Sequence, residues 1–264
     1  MNVDEIVSII EEVADPRFAA SWDLSGLHVR GEKKDIKKIG VALDPTTDTI
    51  LKAIDQGCEF ILTHHPTTLK PALPNKDNNY TKVLRLLFKA GAWLYCAHTS
   101  LDVNVNGPVS WLADVFGLEN KKPIEPISEH DPLSKGFGII GILKNKISFS
   151  QFLKLLCSTL NKKSFLTIGE QPEFVEKIAY CPGSGMSLAH KAFSLGAQVF
   201  ISGDIKYHLA QEIESLGYSI DVGHFILEEL MMKNWAEMLN KKLQSYGVKV
   251  YFIEGKEPIK IKEV

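Results

Sequence analysis

Thiols are scarce in this chain. Its four cysteines (Cys58, Cys96, Cys157, Cys181) lie far apart with no CxxC spacing, which excludes a zinc knuckle or a disulfide framework and fits isolated residues in a reducing cytoplasm. Charge of one sign is lacking too: 30 Lys+Arg against 32 Asp+Glu leave a formal net charge of -2, no broad electrostatic reason to bind nucleic acid. No apolar run approaches the roughly 20 residues of a membrane helix. Met1 to Pro16 carries acids and helical apolar spacing where a secretory signal would have a basic start and an apolar middle, so a cytoplasmic protein off the membrane is expected. No P-loop occurs, which removes the usual triphosphate cradle. Pro182-Gly183-Ser184-Gly185-Met186 remains as a turn that either links a strand to a helix or offers N–H groups to an anion.

What the chain does have is apolar surface and histidine. At 264 residues and 45% hydrophobic content it suits two ordinary domains with real cores. The most informative stretch is Phe60-Ile61-Leu62-Thr63-His64-His65-Pro66, a buried strand that ends in two adjacent histidines. Open α/β sheets bind ligands at the carboxyl ends of their strands. Adjacent side chains on a regular strand point to opposite faces, but Pro66 stops the ladder and holds His65 extended, leaving both imidazoles able to turn toward a cavity. A pair of histidines merely capping the strand is the plainer alternative.

Around that stretch the pattern alternates strand and helix. An opening helix ends near Pro16, and Trp22 and Leu27 follow as core anchors. Strand Ile39 to Leu43 leads through Asp44-Pro45-Thr46 into a helix ending near Gly57. A helix from about Thr81 to Ala90 precedes strand Ala92 to Ala97, with His98 and Asp102 just beyond it in a loop. Asn106-Gly107-Pro108 starts the next helix. Residues 119 to 135, polar and bearing Pro123, Pro126 and Pro132, read as a change of domain. The expected division is 1–120 completed by 231–264, and 121–230.

The second half repeats the first. Lys38 to His65 aligns without a gap on Lys177 to Asp204, an offset of 139, and Gly91 to Asp102 on Gly217 to Glu228, an offset of 126. His98 thereby falls on His224 and Asp102 on Glu228, so each half ends its third strand with His-x-x-x-carboxylate. Four-residue spacing puts two side chains on one face of a helix, and the apolar pattern Leu227, Leu230, Met231, Trp235, Met238 starts one at His224. His64, His65, His98, Asp102, His224 and Glu228 exceed the needs of one ion. Imidazole with carboxylate suits zinc, ferrous iron, manganese or nickel. Asp204, Lys206 and His208 read more simply as a solvated helix face.

Several motifs together resemble the GTP cyclohydrolase I type 2 homologues, the Ngg-interacting-factor-three-like dinuclear-metal-centre proteins. They are Trp22-Asp23-x-x-Gly26-Leu27, Leu62-Thr63-His64-His65-Pro66, Ala97-His98-Thr99-x-x-Asp102, Gly136-Phe137-Gly138, Pro182-Gly183-Ser184-Gly185, Gly203-Asp204-Ile205-Lys206-Tyr207-His208 and Gly223-His224-x-x-x-Glu228. The resemblance implies two α/β sandwich domains related by an internal repeat, and two divalent transition-metal ions held by His64, His65, Asp102, His224 and Glu228, with His98 beside them as a proton-transfer group. It also implies a homo-oligomer, a hexamer built as a ring of dimers, and a small-molecule substrate such as a nucleotide. Leu24 and His28 depart from the asparagine and glutamine usual in the family, which bears on substrate more than on metal. Family members are assigned hydrolytic activity on a guanine-type ring, or a non-catalytic role as a metal or cofactor chaperone or regulatory binding protein, and these readings use the same ligands.

Overall fold

A computed structural model of the chain describes residues 1–128, 135–260 and 262. In chain order the first elements are α1 (Val3–Glu11), β1 (Gly26–Val29), β2 (Lys38–Ala42), α2 (Thr47–Asp55), β3 (Phe60–Thr63), α3 (Asn79–Ala90), β4 (Trp93–Cys96) and the single turn α4 (Thr99–Asp102). Then follow α5 (Trp111–Phe116), β5 (Leu118–Pro126), β6 (Gly136–Ser148), α6 (Phe149–Leu160), β7 (Leu166–Ile168), β8 (Phe174–Tyr180), α7 (Ala189–Ser194), β9 (Val199–Ser202), α8 (Tyr207–Ile213), β10 (Tyr218–Asp221), α9 (His224–Leu243) and β11 (Lys249–Phe252). Two compact units result, one of residues 1–101 with 229–264 and one of residues 102–228.

In the first unit the sheet order is β1-β4-β3-β2-β11, with β4, β3, β2 and β11 parallel and β1 antiparallel at the edge. β3 lies in the middle, which is why Phe60, Ile61, Leu62 and Thr63 are all buried and why the strand reads as a continuous apolar run. Helices start where short polar side chains can take the free N–H groups. Thr46 Oγ1 accepts from the Thr49 N–H at 3.1 Å, and α3 stops at Gly91, whose φ of 61° lies in the left-handed region. Ile50 and Ala53 of α2 and Val83 and Leu87 of α3 pack with Ile61 and Leu94 of the sheet.

The second unit has the order β5-β6-β8-β9-β10-β7, with β8, β9 and β10 parallel. Its core gathers Ile140, Ala179, Phe200, Met186 and Ile213. The internal repeat is written into the hydrogen-bond register. Ile39 pairs with Phe60 and Ile178 with Val199, the ungapped offset of 139. Phe60 pairs with Trp93, however, and Val199 with Tyr218, an offset of 125 and not 126. The second half therefore has one residue more between strand and histidine, and Gly223, at φ 90°, lies in that connection.

Three sequence expectations need correction. Trp22 and Leu27 are not core anchors: they are 59% and 47% exposed. Much of the stretch taken as a domain change is strand, since Leu118–Pro126 pairs antiparallel with β6. It is an edge strand, which tolerates the missing N–H groups of Pro123 and Pro126 and keeps one polar face; Pro132 lies outside the described residues. Finally, the segment after His98 is not an irregular loop but one helical turn, with the Leu101 N–H on the His98 carbonyl at 2.8 Å.

Candidate metal centre

The carboxyl end of β3 carries the first donor group. Past the strand the backbone still bonds to its neighbour, His64 N–H to the Ala42 carbonyl at 3.3 Å and His65 N–H to that of Leu43 at 3.0 Å. The rings nevertheless converge. Their centroids are 5.1 Å apart, and His98, delivered by the end of β4, meets His64 at 5.3 Å and His65 at 5.6 Å. Each of the three offers a ring nitrogen within 4.8 Å of the others.

Each imidazole is held in one tautomer. His64 Nδ1 lies 2.8 Å from the Ala97 carbonyl oxygen, His65 Nδ1 2.7 Å from Asp44 Oδ1, and His98 Nδ1 2.9 Å from Asp23 Oδ1. A carbonyl or ionised carboxylate oxygen can only accept, so Nδ1 must donate and the lone pair is left on Nε2. A ligating histidine is usually prepared in this way. Asp23 is the most heavily engaged support. Its side chain is 1% exposed and also accepts from the Thr99 N–H at 3.0 Å, Thr99 Oγ1 at 2.5 Å and Ser25 Oγ at 2.7 Å. Burial alone would raise this carboxyl, but the bonds from His98, Thr99 and Ser25 outweigh it and hold the group well below the usual carboxylate range.

The second unit repeats the device. His224 opens α9 and Glu228 follows one turn later, with His224 Nε2 2.9 Å from Glu228 Oε2. His224 Nδ1 is again held by a carboxylate, Asp204 Oδ2 at 2.7 Å, and Ser184 Oγ donates to the same oxygen. Burial would raise Asp204, and the bonds from Ser184 and His224 bring it below its ordinary range. Asp204 is exposed, as expected, but it lies outside the helix and is bonded to His224 and Ser184. It stands before α8 at φ 58°, a left-handed conformation that its short polar side chain tolerates, and Lys206 and His208 are exposed too. Glu228 is 4% exposed and is crowded by the Pro182–Gly185 turn: a Cβ on Gly183 would sit 2.3 Å from its Oε1. Asp102 ends α4. Burial, and after it the carboxylates of Asp102 and Glu228, push the Cys181 thiol well up.

Sequence reasoning missed Asp23, Asp44, Ser184 and the role of Asp204. A signal existed for one of them, because the repeat places Asp204 on His65. Asp44 was hidden by its position before Pro45, where it reads as a helix-start residue, although the cap is Thr46. The two departures from the family pattern meet each other, His28 Nε2 lying 2.6 Å from the Leu24 carbonyl.

Two α/β units bear histidine–carboxylate groups, one with His64, His65 and His98 held at Nδ1 and one with His224 between Asp204 and Glu228, and such donors could hold a metal ion. The chain belongs to the Duf34/NIF3 (NGG1p interacting factor 3) family, whose model matches residues 1–258. It is 34% identical over 246 residues to the GTP cyclohydrolase 1 type 2 homolog of Methanocaldococcus jannaschii, covering 92% of this chain and 96% of that one. With the homolog of Clostridium perfringens it is 32% identical over 260 residues, 98% of each chain. Among solved structures, reduced HcgD from M. jannaschii superposes with a TM-score of 0.81 at 31% identity, over 97% of this chain and 98% of that one. A hypothetical protein of Staphylococcus aureus gives 0.87 at 25% identity over 99% of each. Among the described residues no helix is long and apolar enough to cross a membrane.

Proposed function

We propose that the chain is a dinuclear metalloprotein of the cytoplasm that hydrolyses a nucleotide or related heterocycle. Its ligands would be His64, His65, Asp102, His224 and Glu228, and it would work as a homo-oligomer, the hexamer that the resemblance implies. The observation that carries the reading is the shared anchoring: His64, His65, His98 and His224 all have Nδ1 on an oxygen acceptor, and Nε2 of His224 is turned to Glu228. A structural histidine has no need of that arrangement four times over. The donor set fits a divalent transition ion, since imidazole and carboxylate without thiolate match zinc, iron, manganese or nickel.

Two such ions supply Lewis acidity, lowering the pKa of water and neutralising charge that gathers on oxygen during attack. The chain's residues do the rest. Asp44 and Asp204 orient the rings of His65 and His224. His98, pinned at Nδ1 by Asp23, keeps Nε2 as the atom that takes a proton or gives one to a departing nitrogen. The relatives' name supports a guanine-type ring as the first substrate to test. The test is formate release from GTP by the metal-replenished protein, with a metal-stripped control. Release that depends on metal supports the reading; full metal occupancy with no release would move the function to holding and handing over an ion.

A further inference from the structure

Of the four tryptophans, Trp93, Trp111 and Trp235 are at most 6% exposed, while Trp22 is 59% exposed. It does not stand on a loose loop. On one side the Ala20 N–H donates to Thr99 Oγ1 at 2.9 Å. On the other, Asp23 is fastened through its carboxylate to Ser25, His98 and Thr99, and the Asp23 N–H closes the turn on the Ala20 carbonyl at 2.8 Å. Between these anchors the indole sits against His98, ring centroids 5.7 Å apart and planes at 73°. His98 in turn touches both His64 and His65. Single exposed apolar residues are ordinary on a protein surface; what sets Trp22 apart is a backbone fastened on both sides and a ring that lies against His98. A rigid aromatic face is what a planar ligand needs, because little side-chain freedom is lost when the ligand stacks.

We infer that Trp22 is the specificity-determining residue of the site, a preformed platform on which a planar heterocyclic base stacks beside His98. This deepens the proposed function and rests on it only for the statement that the stacked ring belongs to a substrate. The same residues would leave a sugar phosphate without a base unrecognised, since the indole offers it no stacking partner.

The test uses the full chain, with GMP, AMP and UMP as probes and ribose 5-phosphate as the base-free control. Trp22 is the exposed fluorophore, so a stacked base should quench part of the tryptophan emission saturably, and ribose 5-phosphate at equal concentration should not. Trp22→Phe should lose the quench yet keep binding by calorimetry. Trp22→Leu should weaken binding by about tenfold or more, the range of base stacking on aromatic side chains, with metal content equal to wild type. Equal affinity in Trp22→Leu, no saturable binding of any of the three nucleotides, or self-association that buries Trp22 in the free protein would overturn the inference. Metal content and formate release measured on the same preparations keep the two readings apart. Stacking without turnover leaves the platform standing and defeats the hydrolase, and metal-dependent turnover that is indifferent to Trp22 does the reverse.

Discussion

Gly183→Ala and Gly117→Ala form a pair in which nearly everything but the neighbour is the same. Both glycines have φ 63°, but a Cβ at 117 meets nothing within 4 Å, whereas at 183 it lies 2.3 Å from Glu228 Oε1 and 3.5 Å from His224 Cε1. An alanine in the left-handed region costs about 1–2 kcal/mol at either position. To reach ordinary contact at 3.4 Å, the Glu228 oxygen must retreat by 1.1 Å, the difference from 2.3 Å. The carboxylate is the end of a flexible side chain, so this retreat adds little to the stability loss. For metal binding it is large, because ligand distances are held to about ±0.2 Å. Gly183→Ala should therefore match Gly117→Ala in denaturant midpoint but bind zinc about 10–100-fold more weakly, the range seen when a metal site is misaligned by one support. Competition against a chromophoric chelator measures it. Equal zinc affinity in the two variants would refute the placement of Glu228 as a ligand.

Other consequences follow from the same geometry. Asp204→Ala removes the carboxylate that orients the His224 ring and should lower zinc affinity about tenfold, read by the same competition. Glu228→Ala should lower metal occupancy more than His208→Ala, and equal occupancy would count against the assignment. His98→Ala should keep most of its metal and lose turnover; loss of both in proportion would make His98 a ligand. The Asp23 carboxyl is held below its unfolded value, so its contribution to stability is fully present above about pH 4 and drains away as pH falls below that. Asp23→Asn should thus lose about 2–3 kcal/mol near neutral pH, from charged hydrogen bonds replaced by weaker ones, and should show a flatter acid limb in urea unfolding.

The centre of the fold was legible because its signals were strong and local. A central parallel strand must be apolar on both faces, so Phe60 to Thr63 announced itself, and two histidines and a proline marked its end. The repeat was legible for the same reason, since β2 with β3 and β8 with β9 are built from matched residues at one offset. Single-residue adjustments were not. The extra residue before His224 shows only in the strand register, and the turn at Thr99–Asp102 is too short for a periodic pattern. Burial misled at Trp22, because an apolar residue type argues for a core until the backbone places it elsewhere. The carboxylates behind the imidazoles were hidden most deeply: Asp23 is 75 residues from His98, and Asp44 is 21 from His65. Partners at such distances meet only through the sheet.

The central claim is that these histidines and carboxylates hold metal in pairs of ions. Elemental analysis of wild-type protein, purified gently, replenished with zinc, iron, manganese or nickel and freed of loose metal, tests it most directly. The account predicts about two ions per chain, as the five proposed ligands exceed the four of a single tetrahedral site; fewer than one ion per chain would contradict it.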